Sequence, residues 1–441
     1  MTGWIRSIGL FALLLVSGCA AQVGDAPPSA LQSTPAATLV STTATATALP
    51  SLEFDSIVLL AGEAPGDWEV IGLLRNPAGV GVSNVRIRVT VADSRGNQLA
   101  ELTTGTLMSN LAPGEAGPFT AEFPGVGLAV TAEARVDSFE RHFIRRSKLE
   151  IEVLEEFLTE TGDLALLGTV TNPSSQVQSF VSLGLIGFGA ASQPRSVAVL
   201  QHGPRVLGAE ESVPFLALAS GNPGRLNWQA YHDAVEVGAR VPDSLILDEA
   251  PRVRIDSQGN IFVVGSLRNA AGAPSQASVL IMLWEGDRIL SLTELRAPVP
   301  LQVGERLAFA AQDFPGLSRR LAGSDPASLR IESRIEGADP AEQPMVLQAE
   351  VEAFHSVGSS LFLRGILRNE TLHTVDPAAV LAELRSTDGE LLSSGWFTAP
   401  GPLASGEQTE FVIRLPLPTG TDLGEVEFDL RALGSPLKAE Q

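Results

Sequence analysis

Cysteine is almost missing from this chain: Cys19 is the only one in 441 residues. No intramolecular disulfide can form, so whatever folds must rest on packing alone. Lysine is nearly as scarce, with only Lys148 and Lys438, and 30 basic against 51 acidic side chains leave a formal charge of −21. Such a chain repels phosphate backbones and has no basic patch, which excludes nucleic acid as a partner. No apolar run reaches the ~20 residues of a membrane-crossing helix. The usual marks of chemistry are missing too. His142, His202, His232, His355 and His373 are scattered without zinc-ligand spacing, and there is no Gly-x-Ser-x-Gly elbow, dinucleotide fingerprint or phosphate loop. The best acidic cluster, Asp243 with Asp248 and Glu249, lacks the Asp-x-Asp-x-Asp-Gly calcium loop and reads as a solvated linker. The expectation is a protein that is not an enzyme and carries neither cofactor nor metal.

What is present begins at the N-terminus. Arg6 precedes a short apolar stretch over residues 8–16, followed by Ser17, Gly18 and Cys19. The stretch is too short to span a bilayer and reads as a signal peptide. Val16-Ser17-Gly18-Cys19 resembles the lipobox of bacterial lipoproteins, in which the thiol receives a diacylglyceryl group before cleavage. That resemblance implies lipidation at Cys19 and a partner in the membrane itself, with each buried acyl methylene contributing about 0.8 kcal/mol to the anchor. Residues 20–50 are Ala, Thr, Ser and Pro with almost no charge or aromatics, the composition of a disordered tether.

The remainder repeats. Gly-x-(Leu/Val)-x-Asn occurs at Gly72 to Asn76, Gly168 to Asn172, Gly265 to Asn269 and Gly365 to Asn369, so the glycines at 72, 168, 265 and 365 are 96, 97 and 100 residues apart. Downstream of each asparagine come an alternating strand pattern such as residues 85–91 and a glycine-glutamate turn, at Gly114-Glu115, Gly208-Ala209-Glu210, Gly304-Glu305 and Gly406-Glu407. In a strand every second side chain shares a face, which places Gly72, Leu74 and Asn76 together and turns Arg75 away. Glycine there suggests close approach by a bulky side chain, and asparagine a turn closed by side-chain hydrogen bonds. About seven short strands per repeat, with many turns, predict an all-β chain of four tandem immunoglobulin-like β-sandwich domains at 51–147, 148–247, 248–343 and 344–435, after a signal peptide (1–19) and a tether (20–50).

At the Gly-x-Leu-x-Asn strands and the segment from Val85 to Gly96 the chain resembles the FxLYD-type sandwich modules of bacterial surface proteins, which have no shared catalytic activity. The resemblance implies a fold more than a function. One tryptophan per repeat, Trp68, Trp228, Trp284 and Trp396, is expected in its own core, and the repeats are expected to fold as independent units joined at Arg145-Arg146, Pro242-Asp243 and Asp339-Pro340. The functional expectation is a lipid-anchored, extracytoplasmic spacer or adhesion protein presenting its sandwiches to an envelope protein or surface polymer. The alternative is an envelope-anchored binding protein for carbohydrate or another small ligand.

Overall fold

The computed structural model describes residues 52–62, 64–142, 148–190, 192–219, 223–237, 245–270, 272–321, 325–340 and 342–437. Cys19, the tether, Arg145-Arg146 and Pro242-Asp243 lie outside them. Nearly all regular structure among the described residues is strand, the all-β immunoglobulin-like sandwich that the alternating pattern requires. The first repeat runs β1 (Glu53–Ala61), β2 (Trp68–Arg75), β3 (Gly81–Ala92), β4 (Gln98–Gly105), β5 (Asn110–Leu111), β6 (Ala116–Phe123) and β7 (Thr131–His142). Strands β1-β2-β6 form one antiparallel sheet, and β4, β7 and the short β5 all pair with β3 in the other. Along β3 the periodicity is two: Val85, Ile87, Val89 and Val91 are buried while Arg86 is exposed.

The second repeat follows the same order with β8 (Glu150–Leu158), β9 (Leu164–Thr171), β10 (Val177–Phe188), β11 (Pro194–His202), β12 (Val206–Leu207), β13 (Ser212–Ala219) and β14 (Asn227–Val237). Here β11 pairs with both β10 and β13, so the two sheets join into one of seven strands. The third repeat has β15 (Leu245–Ile255), β16 (Ile261–Asn269), β17 (Ser275–Glu285), β18 (Arg288–Arg296), β19 (Arg306–Ala311), the single-turn helix α1 (Leu317–Arg320) and β20 (Arg330–Pro340). The fourth has β21 (Met345–Val357), β22 (Ser360–Arg368), β23 (Val375–Ser386), β24 (Leu391–Thr398), β25 (Gln408–Pro416) and β26 (Val426–Pro436). Its long first strand switches sheets: Met345 to Leu347 pair with β26, and Gln348 onward pairs with β22. The β10–β11 hairpin, which lacks the polar turn sequence of the other repeats, still closes with Gly189 N–H on the Gln193 carbonyl, matching Asp93 to Asn97 and Ser386 to Glu390. Only the third repeat differs, turning through Gly286-Asp287 between the paired Glu285 and Arg288.

The cores do not stop at the repeat boundaries, which revises the expectation of independent units. Leu280, Met282, Ile289 and Leu292 of the third repeat pack into the core cluster of the second, and Ala379, Leu381 and Leu433 of the fourth pack into that of the third. Ile71 of the first clusters with Ile186 and Val197 of the second. The reason lies in strands apolar on both faces, such as Leu164 to Leu167 and Ile261 to Val264, which need cover inside the sandwich and outside it. At each junction the sheet holding the glycine strand is covered by the opposite sheet of the next repeat.

Candidate functional site

The repeat residues converge on one buried knot, built four times. Asn76, Asn172, Asn269 and Asn369 are each fully buried. Each ends the glycine strand and turns its amide inward. Asn369 Nδ2 donates to the carbonyls of His373 and Leu403, both at 2.8 Å, while its Oδ1 accepts from Thr371 N–H at 3.0 Å. Asn76 does the same with Val80, Leu111 and Ala78, and Asn269 donates to Ala273 and Leu301. Asn172 donates to Gln176 and Gly208 and accepts from Ser174. The backbone closes the knot, since each asparagine N–H donates to the carbonyl of a turn glutamate: Glu115, Glu211, Glu305 or Glu407. Each of those glutamates folds its own Oε2 back to accept a backbone N–H three residues earlier.

In the second repeat this glutamate is Glu211, not Glu210 as the glycine-glutamate spacing suggested. Gly114, Gly304 and Gly406 hold the left-handed turn position at φ 79°, 77° and 78°, and Glu210 holds it in the second repeat at φ 56°. Gly208 has moved to the position that Glu211 caps.

The bulky partner expected opposite the glycines is a phenylalanine four residues beyond each turn glutamate. Gly72 pairs across the sheet with Phe119, Gly168 with Phe215, Gly265 with Phe309 and Gly365 with Phe411. A Cβ on these glycines would lie 2.1, 2.6, 2.6 and 2.7 Å from the phenylalanine Cζ atoms. The ring lies across the glycine, so no other residue fits. The Glu-x-x-x-Phe spacing was present in all four repeats and could have revealed this partner from sequence. Leu74, Val170, Leu267 and Leu367 point into the cores beside these pairs. Together these residues build the scaffold of each repeat.

The more open chemistry lies where the second and third repeats meet, in a groove of about 560 Å³ lined by Leu154, Glu155, Leu167, Trp284, Arg288 and Glu332 among others. Glu155 receives both Arg288 and Arg320. Burial pushes its carboxyl up, but the two guanidinium groups outweigh that and hold it below the usual range. Burial lowers Arg320, whose guanidinium stacks on the Phe157 ring at 4.1 Å. Arg330 lies 4.8 Å over the Trp284 ring, and the buried Trp284 Nε1 has no partner among the described residues. Glu155 and Glu332 are both held by arginines.

The tryptophans do not all sit as expected. All four are half-buried, and Trp284 and Trp396 pack against the core of the preceding repeat. The histidines are dispersed. His202 Nδ1 accepts the Glu294 N–H at 3.2 Å across the second junction, and burial lowers its pKa to about 4. His355 stacks on Phe362 with ring centroids 5.5 Å apart. Of the acidic cluster, Asp248 faces Arg268 and Glu249 faces Arg385, while Asp243 lies outside the described residues. No group of three or more metal-ligating side chains occurs among the described residues, and none of their helices is long and apolar enough to cross a membrane.

No family profile matches the chain, and no curated protein matches it. Among solved structures it is similar to native Escherichia coli alpha-2-macroglobulin, at 12% identity and a TM-score of 0.12, covering 85% of this chain and 29% of that one. The same protein activated by porcine elastase gives 13% and 0.13, with 87% and 43% covered. A Salmonella alpha-2-macroglobulin mutant gives 12% and 0.12, with 85% and 29% covered. The chain spans less than half the length of these structures, and likeness at this level carries no argument about function.

Proposed function

We propose that this chain is a non-enzymatic, lipid-anchored cell-envelope protein whose stacked sandwiches act as a spacer and interaction module for an envelope protein or surface polymer. The observation that supports this most is the repeated junction. Ile71, Leu167 and Val264, each just before a repeat glycine on the outer side of its sheet, are buried, so consecutive repeats are packed together rather than strung on linkers. Arg334 with Glu211, and Arg431 with Glu305, add the same ion pair at the second and third junctions. Packed repeats hold binding surfaces at set distances from one another along the stack, which a flexible string would not. Cys19 supplies the anchor in this reading and residues 20–50 the tether.

The test is Cys19→Ser in the full chain. Wild type should enter the detergent phase on phase separation and the variant should remain in the aqueous phase; a variant that still enters the detergent would refute lipidation at Cys19. Crosslinking on intact cells followed by pull-down then identifies whether protein or polymer is bound.

Trp284, which lines the groove, favours a second reading, the binding of a carbohydrate against the indole. Titration with envelope oligosaccharides should quench tryptophan emission in wild type and not in Trp284→Phe. Equal responses would remove this reading.

A further inference from the structure

The three junctions share one pattern, and the outer faces of the first and fourth repeats break it. On the outer side of the glycine strand, Ile71, Leu167 and Val264 are buried under the following repeat. In the fourth repeat the equivalent residue is Arg364, paired with Glu410 at 3.1 Å and lying across the strand from the exposed Val412. On the opposite sheet, the second, third and fourth repeats turn Gly184, Leu280 and Leu381 toward the preceding repeat. A Cβ on Gly184 would touch Leu107, Met108 and Pro118 of the first repeat. Leu280 and Leu381 are buried in the preceding cores. The first repeat carries Arg88 in the corresponding outward place on β3, held by Asp137 at 2.6 Å and Glu101 at 3.2 Å.

We propose that Arg88 and Arg364 are caps that terminate the stack, preventing the fourth repeat of one copy from docking on the first repeat of another. The surfaces are otherwise prepared for that contact. Arg334 lies opposite Leu280 and Arg431 opposite Leu381, and each reaches the turn glutamate of the preceding repeat. In the first repeat Arg135 lies opposite Arg88, with its side chain 60% exposed. In the fourth, Glu407 is exposed and its carboxylate bonds only the Ala404 N–H among the described residues. End-to-end docking would therefore offer an Arg135–Glu407 pair like those at the internal junctions. It would also bring two guanidinium groups onto facing sheets and strip water from Arg88, Glu101, Asp137, Arg364 and Glu410. Desolvating ion-paired groups and opposing like charges outweighs one rim ion pair. A head-to-tail contact of this kind leaves an end open on every copy added unless its rotation closes a ring, so without caps it would build oligomers larger than a dimer.

Sedimentation velocity of the full chain in detergent, from about 1 to about 200 μM, tests this against Arg88→Leu/Arg364→Leu. The wild type should keep one sedimentation coefficient throughout. The double variant should form concentration-dependent species, with association strengthened on the order of a hundredfold because about 1.4 kcal/mol corresponds to each factor of ten. Adding Glu407→Gln should weaken that association again. Wild-type chains that associate through these ends would overturn the proposal, as would a double variant of unchanged melting temperature that stays monomeric. Association indifferent to Glu407→Gln would overturn it as well, since it would reflect general stickiness.

Discussion

Asn369→Ala should cost the fourth repeat about 3 kcal/mol, and the reason can be worked through atom by atom. The amide spends both Nδ2 hydrogens on the His373 and Leu403 carbonyls and receives the Thr371 N–H and hydroxyl at Oδ1. Thr371 and His373 lie near the surface and can turn to water, so losing their bonds costs about 0.5–1.5 kcal/mol each. The Leu403 carbonyl is buried but keeps the Val375 N–H at 3.1 Å, so losing its second donor costs about 0.5–1.5 kcal/mol as well. Asn369→Asp is the sharper probe because it keeps Oδ1 and nearly the same volume, but it sets a carboxylate oxygen against two carbonyls. It should destabilise at least as much as alanine at neutral pH. A carboxyl in that place binds its proton more tightly when folded than when unfolded, so its deficit relative to wild type should shrink as pH falls toward about 4. Urea denaturation of the full chain at both pH values, followed by tryptophan emission, reads these differences. A loss under about 0.5 kcal/mol for alanine, or an aspartate variant as stable as wild type at neutral pH, would refute the claim that this hydrogen-bond set organises the repeat.

Glu210→Gly should stabilise the second repeat by up to about 1 kcal/mol by relieving a non-glycine residue in the left-handed region, although glycine gains entropy when unfolded; a lower melting temperature would contradict this. His202 is held neutral when folded, with its pKa near 4 against an ordinary 6.5. The unfolded chain therefore takes up the proton first, and His202 removes about 2–3 kcal/mol of stability as pH falls from about 6.5 to about 4. His202→Asn keeps an acceptor for Glu294 and should flatten that part of the pH–stability curve; an unchanged slope would exclude His202 as its source. Leu267→Asp should unfold the third repeat, since a truncated core leucine alone costs about 2–5 kcal/mol and a buried charge adds to it. Because Leu280, Met282, Ile289 and Leu292 complete the second core, proteolysis should then also open the second repeat, whereas a sharply confined cut within the third would show that the junctions contribute little.

The sequence by itself determined what depends on local periodicity. Alternation along strands such as β3, and the fourfold Gly-x-Leu-x-Asn pattern, specify an all-β chain of repeats and which strand face turns inward, because a strand places every second side chain on one face. The asparagine turns were legible for the same reason, being closed largely by near neighbours. Pairing was not: Phe119 meets Gly72 from a distant strand, and only the sheet register brings them together. The joined sheets of the second and fourth repeats likewise follow from β11 pairing with both β10 and β13 and from β21 passing from β26 to β22. The burial of Ile71, Leu167 and Val264, the move of Trp284 and Trp396 toward neighbouring cores, and the groove beside Glu155 were decided by tertiary structure alone. An apolar residue on the outer face of a sheet looks the same in sequence whether it meets water or another sheet, and the outcome depends on the surface that the next repeat turns toward it.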